Sequence, residues 1–141
     1  MKTMKRWRII LMILAALSLA SCSNTKEGDW ESMVWKTENP GVRTTDGYYE
    51  VSADGGTLSF ACRNYSSPWI ENAFSGENYF FPPREANDYH TITADWFKAA
   101  IVGNKLTVTF EANEAAEVRL LGLTVTAGDI FYTFRFKQLQ R

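Results

Sequence analysis

The chain has 141 residues, room for one domain and little more. Four of its 15 basic residues, Lys2, Lys5, Arg6 and Arg8, and none of its 16 acidic ones lie in the first 21 positions, so the remainder carries 11 basic residues against 16 acidic, a balance of −5. With no basic run and a single histidine, His90, that remainder excludes three classes: nucleic-acid binding through a basic patch, charge-driven adhesion to an anionic membrane, and a multi-histidine metal site.

The first 21 residues divide into three parts. A basic start is followed by an unbroken apolar run, Ile9 to Leu17, and then by small residues from Ser18 to Ser21. This is the arrangement of a secretory signal. The apolar run falls short of the ~20 residues that span a bilayer comfortably. Leu19-Ala20-Ser21-Cys22 resembles a bacterial lipobox, in which a small residue precedes a cysteine that is acylated after cleavage. The expectation is therefore an outer-membrane lipoprotein: signal peptide 1–21, then a mature chain held in the bilayer by acylated Cys22. Several acyl chains, at ~0.8 kcal/mol per buried CH₂, hold far better than one. Ser23 to Asp29 is polar and lacks apolar periodicity, as a tether does. Lys26, Glu27 and Asp29 partly match a surface-export signal, interrupted by Gly28, which favours display at the cell surface. Residues 22–45 form the tether and a candidate first strand, around Glu31 to Lys36 and ended by Asn39-Pro40-Gly41. Residues 46–141 form the domain.

From Tyr48 onward the dominant period is two, which predicts half-buried strands. Tyr49 and Val51 alternate with Glu50 and Ser52, and Asp54-Gly55-Gly56 signals a turn. Leu58, Phe60 and Cys62 follow on one face, then Leu106, Val108 and Phe110, then Leu121, Leu123 and Val125. Ala127-Gly128-Asp129 makes a tight turn into Ile130, Tyr132, Phe134 and Phe136, so residues 118–138 are predicted to be a β-hairpin. No segment carries a long helical stripe. Short strands joined by Gly, Asn and Pro turns predict an all-β antiparallel sandwich. Acylation of Cys22 leaves Cys62 without a partner in the chain, and its place in the Leu58–Phe60–Cys62 series predicts a buried, structural thiol. The segment that fits the pattern least is 71–89, ENAFSGENYFFPPREANDY, read here as a long loop of the kind that carries function on a rigid scaffold.

The landmarks from residue 48 to 138 resemble, in order, those of the BACON (Bacteroidetes-associated carbohydrate-binding often N-terminal) domain. Gly55-Gly56-Thr57 opens a strand that leads to Asn64, followed by Trp69. Trp96 and a Gly103-Asn104 turn come next. The strand Leu106 to Phe110 ends in Ala112-Asn113, Arg119 opens Leu-Thr-Val-Thr, and the last strand ends near Gln138. Two features depart from the family: the aromatic-rich insert between Trp69 and Trp96, and a domain standing alone behind a lipid tether. The resemblance implies an immunoglobulin-like β-sandwich and a role in binding glycans or mucin, or in spacing other domains.

Chemistry is sparse beside this. No nucleophile motif accompanies His90, which is expected at the surface. The carboxylates Glu71 and Glu77, or Asp88 and Asp95, could pair as in a glycosidase, but 16 acids on a small domain make such pairs easy to find. Asp46, Glu85 and Asp88 sit near turns without a calcium-loop pattern. The expectation is no catalysis, no metal and no cofactor. Aromatic residues carry the binding hypothesis, because sugar C–H faces pack on flat rings and Tyr or Trp adds a polar handle. The candidate face comprises Trp69, Tyr79, Phe80, Phe81, Arg84 and Tyr89, with Asn78 and Glu77 near enough in sequence to bond hydroxyls. Trp69 and Trp96 are also expected to face the core, which leaves Trp69 between two roles. The competing function is a structural or assembly subunit of a cell-envelope complex, its exposed segment meeting a protein partner.

Overall fold

A computed structural model describes residues 29–141; the expected signal peptide, the expected acylation site Cys22 and nearly all of the expected tether lie outside the described residues. Eleven strands form: β1 (Trp35–Thr37), β2 (Thr44–Thr45), β3 (Tyr48–Val51), β4 (Gly56–Cys62), β5 (Trp69–Ser75), β6 (Asn78–Phe80), β7 (Thr91–Thr93), β8 (Phe97–Val102), β9 (Lys105–Phe110), β10 (Arg119–Thr126) and β11 (Phe131–Gln138). They make two sheets. One runs β1-β4-β9-β8-β7 and the other β2-β3-β11-β10-β5-β6. The predicted C-terminal hairpin is present as β10–β11, paired from Arg119↔Gln138 to Thr126↔Phe131.

Two details differ from the sequence reading. The first strand begins later than Glu31, at Trp35, and pairs with β4. The pairing is also not wholly antiparallel: β3 runs parallel to β11, with Phe136↔Tyr49 and Gln138↔Val51 in register. Parallel neighbours need a long connection, and here nearly the whole domain lies between the two strands. Chain alternation therefore predicted β3 as a strand but not its direction.

The inward faces fuse into one core. Phe60, Phe97, Phe134 and Phe136 are all buried, as are Leu106, Leu121 and Leu123. The rings of Phe60 and Phe134 lie 4.8 Å apart, and those of Phe110 and Phe136 5.3 Å apart. Each such side chain contributes about 1.5–3 kcal/mol through burial alone. Cys62 is free and buried within this core, as its place in the alternation predicts.

The end of the sandwich near the C-terminus is fixed by backbone-directed amides. Asn113 and Gln138 are completely buried. The Asn113 side-chain amide donates to the carbonyls of Glu117 and Leu139, at 2.8 and 3.1 Å, and its oxygen accepts from Ala115 N–H. Gln138 donates to Glu111 O at 2.7 Å. At Gly55 the backbone is left-handed, with φ +82°, and an added Cβ would sit 2.3 Å from Phe110 O. Only glycine lets the turn into β4 approach β9 this closely.

Asn64 and Asn104 act alike at another edge. Asn64 Oδ1 accepts from Val34 N–H at 2.9 Å, and Asn64 Nδ2 donates to Ser32 O. Asn104 Nδ2 donates to Cys62 O at 2.8 Å. Several sequence landmarks are thus ties that hold loops against strands.

Candidate functional site

The segment read as one long loop opens with a hairpin, its residues 71–75 and 78–80 being strand. β5 and β6 form a hairpin with Ala73↔Phe80, Phe74↔Tyr79 and Ser75↔Asn78 in register, turning at Gly76-Glu77. A 3-10 turn at Arg84–Ala86 and an irregular stretch then lead into β7. Strand order puts β6 at the edge of the six-stranded sheet. An edge strand is covered on one side only, which leaves its outward side chains without strand neighbours beyond it.

Period-two geometry sorts the candidate rings. Phe80 shares a face with Ala73, which is fully buried. Its ring meets Phe97 edge-on at 5.2 Å, so Phe80 is half-buried against the core and points away from Tyr79 and Phe81. Tyr79 and Phe81 point the other way and are 60% and 55% exposed. Their rings stack with centroids 6.4 Å apart and planes 17° apart. Phe74 extends the strip, 5.8 Å from Tyr79. Pro82 turns inward and is buried, while Pro83 is exposed. The four residues from Phe80 to Pro83 therefore do not all hide, as their alternation requires.

Arg84 closes the strip. Its guanidinium lies 5.4 Å from the Phe81 ring centre and donates to Glu71 Oε1 at 3.3 Å. Exposed pairs of this kind contribute little to stability; their effect here is to hold the guanidinium beside the ring.

Trp69 and Tyr89 sit elsewhere, bordering one pocket with His90. Trp69 is in register with Thr126, on the outward side of β5. It is half-buried but, unlike Trp96, does not join the core cluster. The expectation that both tryptophans face the core holds only for Trp96, which packs on Phe97 at 5.0 Å and lies under the Arg119 guanidinium. The backbone beside Trp69 bridges the sheets: Tyr89 O accepts from Ile70 N–H and His90 O from Ile101 N–H, both at 2.8 Å. Asp88 fixes that bridge, accepting from His90 N–H at 2.8 Å and from the Thr91 hydroxyl. Those bonds, the Thr91 hydroxyl first, hold its carboxyl below the usual carboxylate range. The His90 side chain is 57% exposed.

The structure thus divides the six candidates: Tyr79, Phe81 and Arg84 share an outward strip, Trp69 and Tyr89 share a pocket, and Phe80 is half-buried against the core. Sequence reasoning omitted Phe74 and His90 from the face. Phe74 was obscured because the period of β5 is broken by a register shift between Thr124 and Val125 of β10. Among the described residues no cluster of His, Cys, Asp and Glu could hold a metal ion.

No protein-family profile and no curated protein matches the chain. A solved structure does: the NMR structure of a protein from Bacteroides thetaiotaomicron is similar at 29% identity with a TM-score of 0.65, over 77% of this chain and 87% of that one. The chain is a distant homologue of that Bacteroidetes protein, with a β-sandwich built from two packed sheets.

Proposed function

We propose that this chain is a lipid-anchored protein of the outer membrane, displayed at the cell surface, whose sandwich binds glycans or mucin and catalyses no reaction. The observation that carries the reading is the stacked, outward pair Tyr79 and Phe81 on an edge hairpin. Rings that serve only the core do not remain more than half exposed in a parallel stack. A flat strip of this kind suits the C–H face of a sugar, and the tyrosine hydroxyl and Arg84 supply polar partners.

The finer fold reading points the same way. Taking β1, β4, β8 and β9 as strands A, B, D and E, and β5, β10 and β11 as C, F and G, reproduces the two-sheet order of an immunoglobulin-like sandwich. That order and the ordered landmarks support membership of the BACON group. The lipobox-like Leu19-Ala20-Ser21-Cys22 supports the anchor. Replacement of Cys22 by Ala should move the protein from the membrane fraction to the soluble one; retention in the membrane would refute the lipid anchor.

The binding reading is tested with the full chain in detergent on a glycan array. Binding that falls about two- to tenfold in Tyr79→Ala and in Phe81→Ala supports it; binding unchanged in both removes the strip from the site. A second reading, a structural subunit of an envelope complex, draws on Leu120 and Phe131, exposed apolar side chains on the other sheet strands of the same outward side. Stable co-purifying partners with no glycan binding would favour it.

A further inference from the structure

The ring strip does not stop at β5. Antiparallel register carries its row across the sheet: Tyr79 faces Phe74, Phe74 faces Gly122, and Gly122 faces Arg135. Gly122 makes the row unusual. An added Cβ there would lie 2.1 Å from the tip of the Phe74 ring. The ring therefore lies down over the glycine backbone, as aromatics do when they cover a strand glycine. Covering the glycine explains the ring's tilt but not the space beside it. Phe74, Gly122, Leu120, Tyr48 and Arg135 line a groove of about 280 Å³, with apolar walls and a cation at one side.

Arg135 has no ion-pair partner among the described residues. The two arginines that lie over aromatic rings are engaged: Arg84, over Phe81, with Glu71, and Arg119, over Trp96, with a 3.4 Å bond to Ala112 O. The nearest acid by register, Glu50, stands opposite Lys137, two residues along β11 from Arg135. An unpaired guanidinium beside a ring wall matches a planar carboxylate attached to a ring-shaped apolar face, since the guanidinium fork binds carboxylates in a bidentate manner.

We infer that the groove over Gly122 is a subsite for a carboxylate-bearing sugar, a uronic or sialic acid, continuous with the Tyr79–Phe81 strip. Arg135 takes the carboxylate, Phe74 packs the sugar face, and the Tyr48 hydroxyl is placed to bond a ring hydroxyl. The inference rests on the glycan reading above and adds the charge class of the ligand.

Two matched pairs test it on the full chain in detergent: sialyllactose against lactose, and trigalacturonic acid against galactotriose. The acidic member of at least one pair should bind about tenfold more tightly, the scale of one charge-assisted hydrogen bond. Arg135→Gln should abolish that preference, bringing the acidic and neutral members of each pair to equal affinity. Gly122→Ala should weaken both members by displacing Phe74, with a thermal melt reporting whether the sheet survives. Equal affinity within both pairs, or a preference that persists in Arg135→Gln, overturns the acidic subsite while leaving the ring strip intact. A glutamate-rich peptide that binds more tightly than either acidic sugar also overturns it. Absence of binding to any of the four sugars and to a broad glycan array overturns the subsite and the glycan reading together.

Discussion

The C-terminal end of the sandwich and the β5–β6 hairpin both concentrate distinctive residues, yet they use them oppositely. At the end, the side-chain NH2 groups of the completely buried Asn113 and Gln138 donate to backbone carbonyls, and Asn113 Oδ1 accepts from Ala115 N–H. On the hairpin, Tyr79 and Phe81 leave large apolar faces in water. Burying a polar side chain is favourable only when it is bonded, and exposing aromatic surface forfeits burial energy. The first region is therefore arranged for stability, and the second gives up stability that a ligand could restore. The landmarks that carry the family resemblance, Gly55, Asn64, Asn113 and Gln138, belong to the first kind. They speak for a fold and not for a ligand.

Substitutions can sharpen or break this contrast. The largest loss of stability is expected at Gly55→Ala, where left-handed backbone and a 2.3 Å approach to Phe110 O combine; about 3 kcal/mol or more is expected in denaturant unfolding. Asn113→Ala should follow at roughly 2–3 kcal/mol, because the carbonyls of Glu117 and Leu139 lose their donor. Phe80→Ala should cost about 2 kcal/mol, since its ring meets Phe97 but is only partly buried. Its neighbours Tyr79 and Phe81 should change stability by less than about 0.5 kcal/mol when truncated. Equal losses at Phe80, Tyr79 and Phe81 would erase the distinction between the two faces of the hairpin.

The smallest effect concerns acid. Asp88 has a lowered pKa in the folded state, so its contribution is present above the ordinary aspartate range. It is lost as pH falls through the depressed folded value. The protection of the His90 and Thr91 amides, their exchange relative to the intrinsic rate at the same pH, should therefore fall as pH drops through that depressed value in the parent protein. Asp88→Asn should exchange faster already at neutral pH and show less change on acidification. Identical exchange in parent and variant would mean that Asp88 does not fix the bridge between the sheets.

How far the sequence reveals this arrangement depends on how regular each strand is. β4, β9, β10 and β11 present apolar side chains at every second position on their inward faces, so those faces are legible directly even though Leu120 and Phe131 are apolar and outward. β8 also alternates, with Phe97, Ala99 and Ile101 inward, but adjacent Ala99 and Ala100 offer no contrast in polarity. β5 is harder. Its buried residues Ile70 and Ala73 are three apart, because the register shift against β10 changes the phase of the strand. That irregularity made the hairpin resemble a loop and concealed Phe74. The outward pair Tyr79 and Phe81 was legible as aromatic sequence, whereas the inward turn of Phe80 depends on pairing with Ala73, which no local pattern reveals. Gly122 resembles an ordinary strand glycine until the opposing Phe74 is seen above it.

The most direct test of the central claim compares glycan binding by the parent and a Tyr79→Ala/Phe81→Ala double variant, using full chain in detergent and melting temperature as the control. The account predicts measurable binding by the parent and a loss of at least tenfold in the variant, at an unchanged melting temperature. Two rings worth about 0.5–1.5 kcal/mol each, by analogy with ring–ring pairs, reach the roughly 1.4 kcal/mol of a tenfold loss when each contributes at least about 0.7 kcal/mol. Full binding by the double variant, or no glycan bound by the parent, would contradict it.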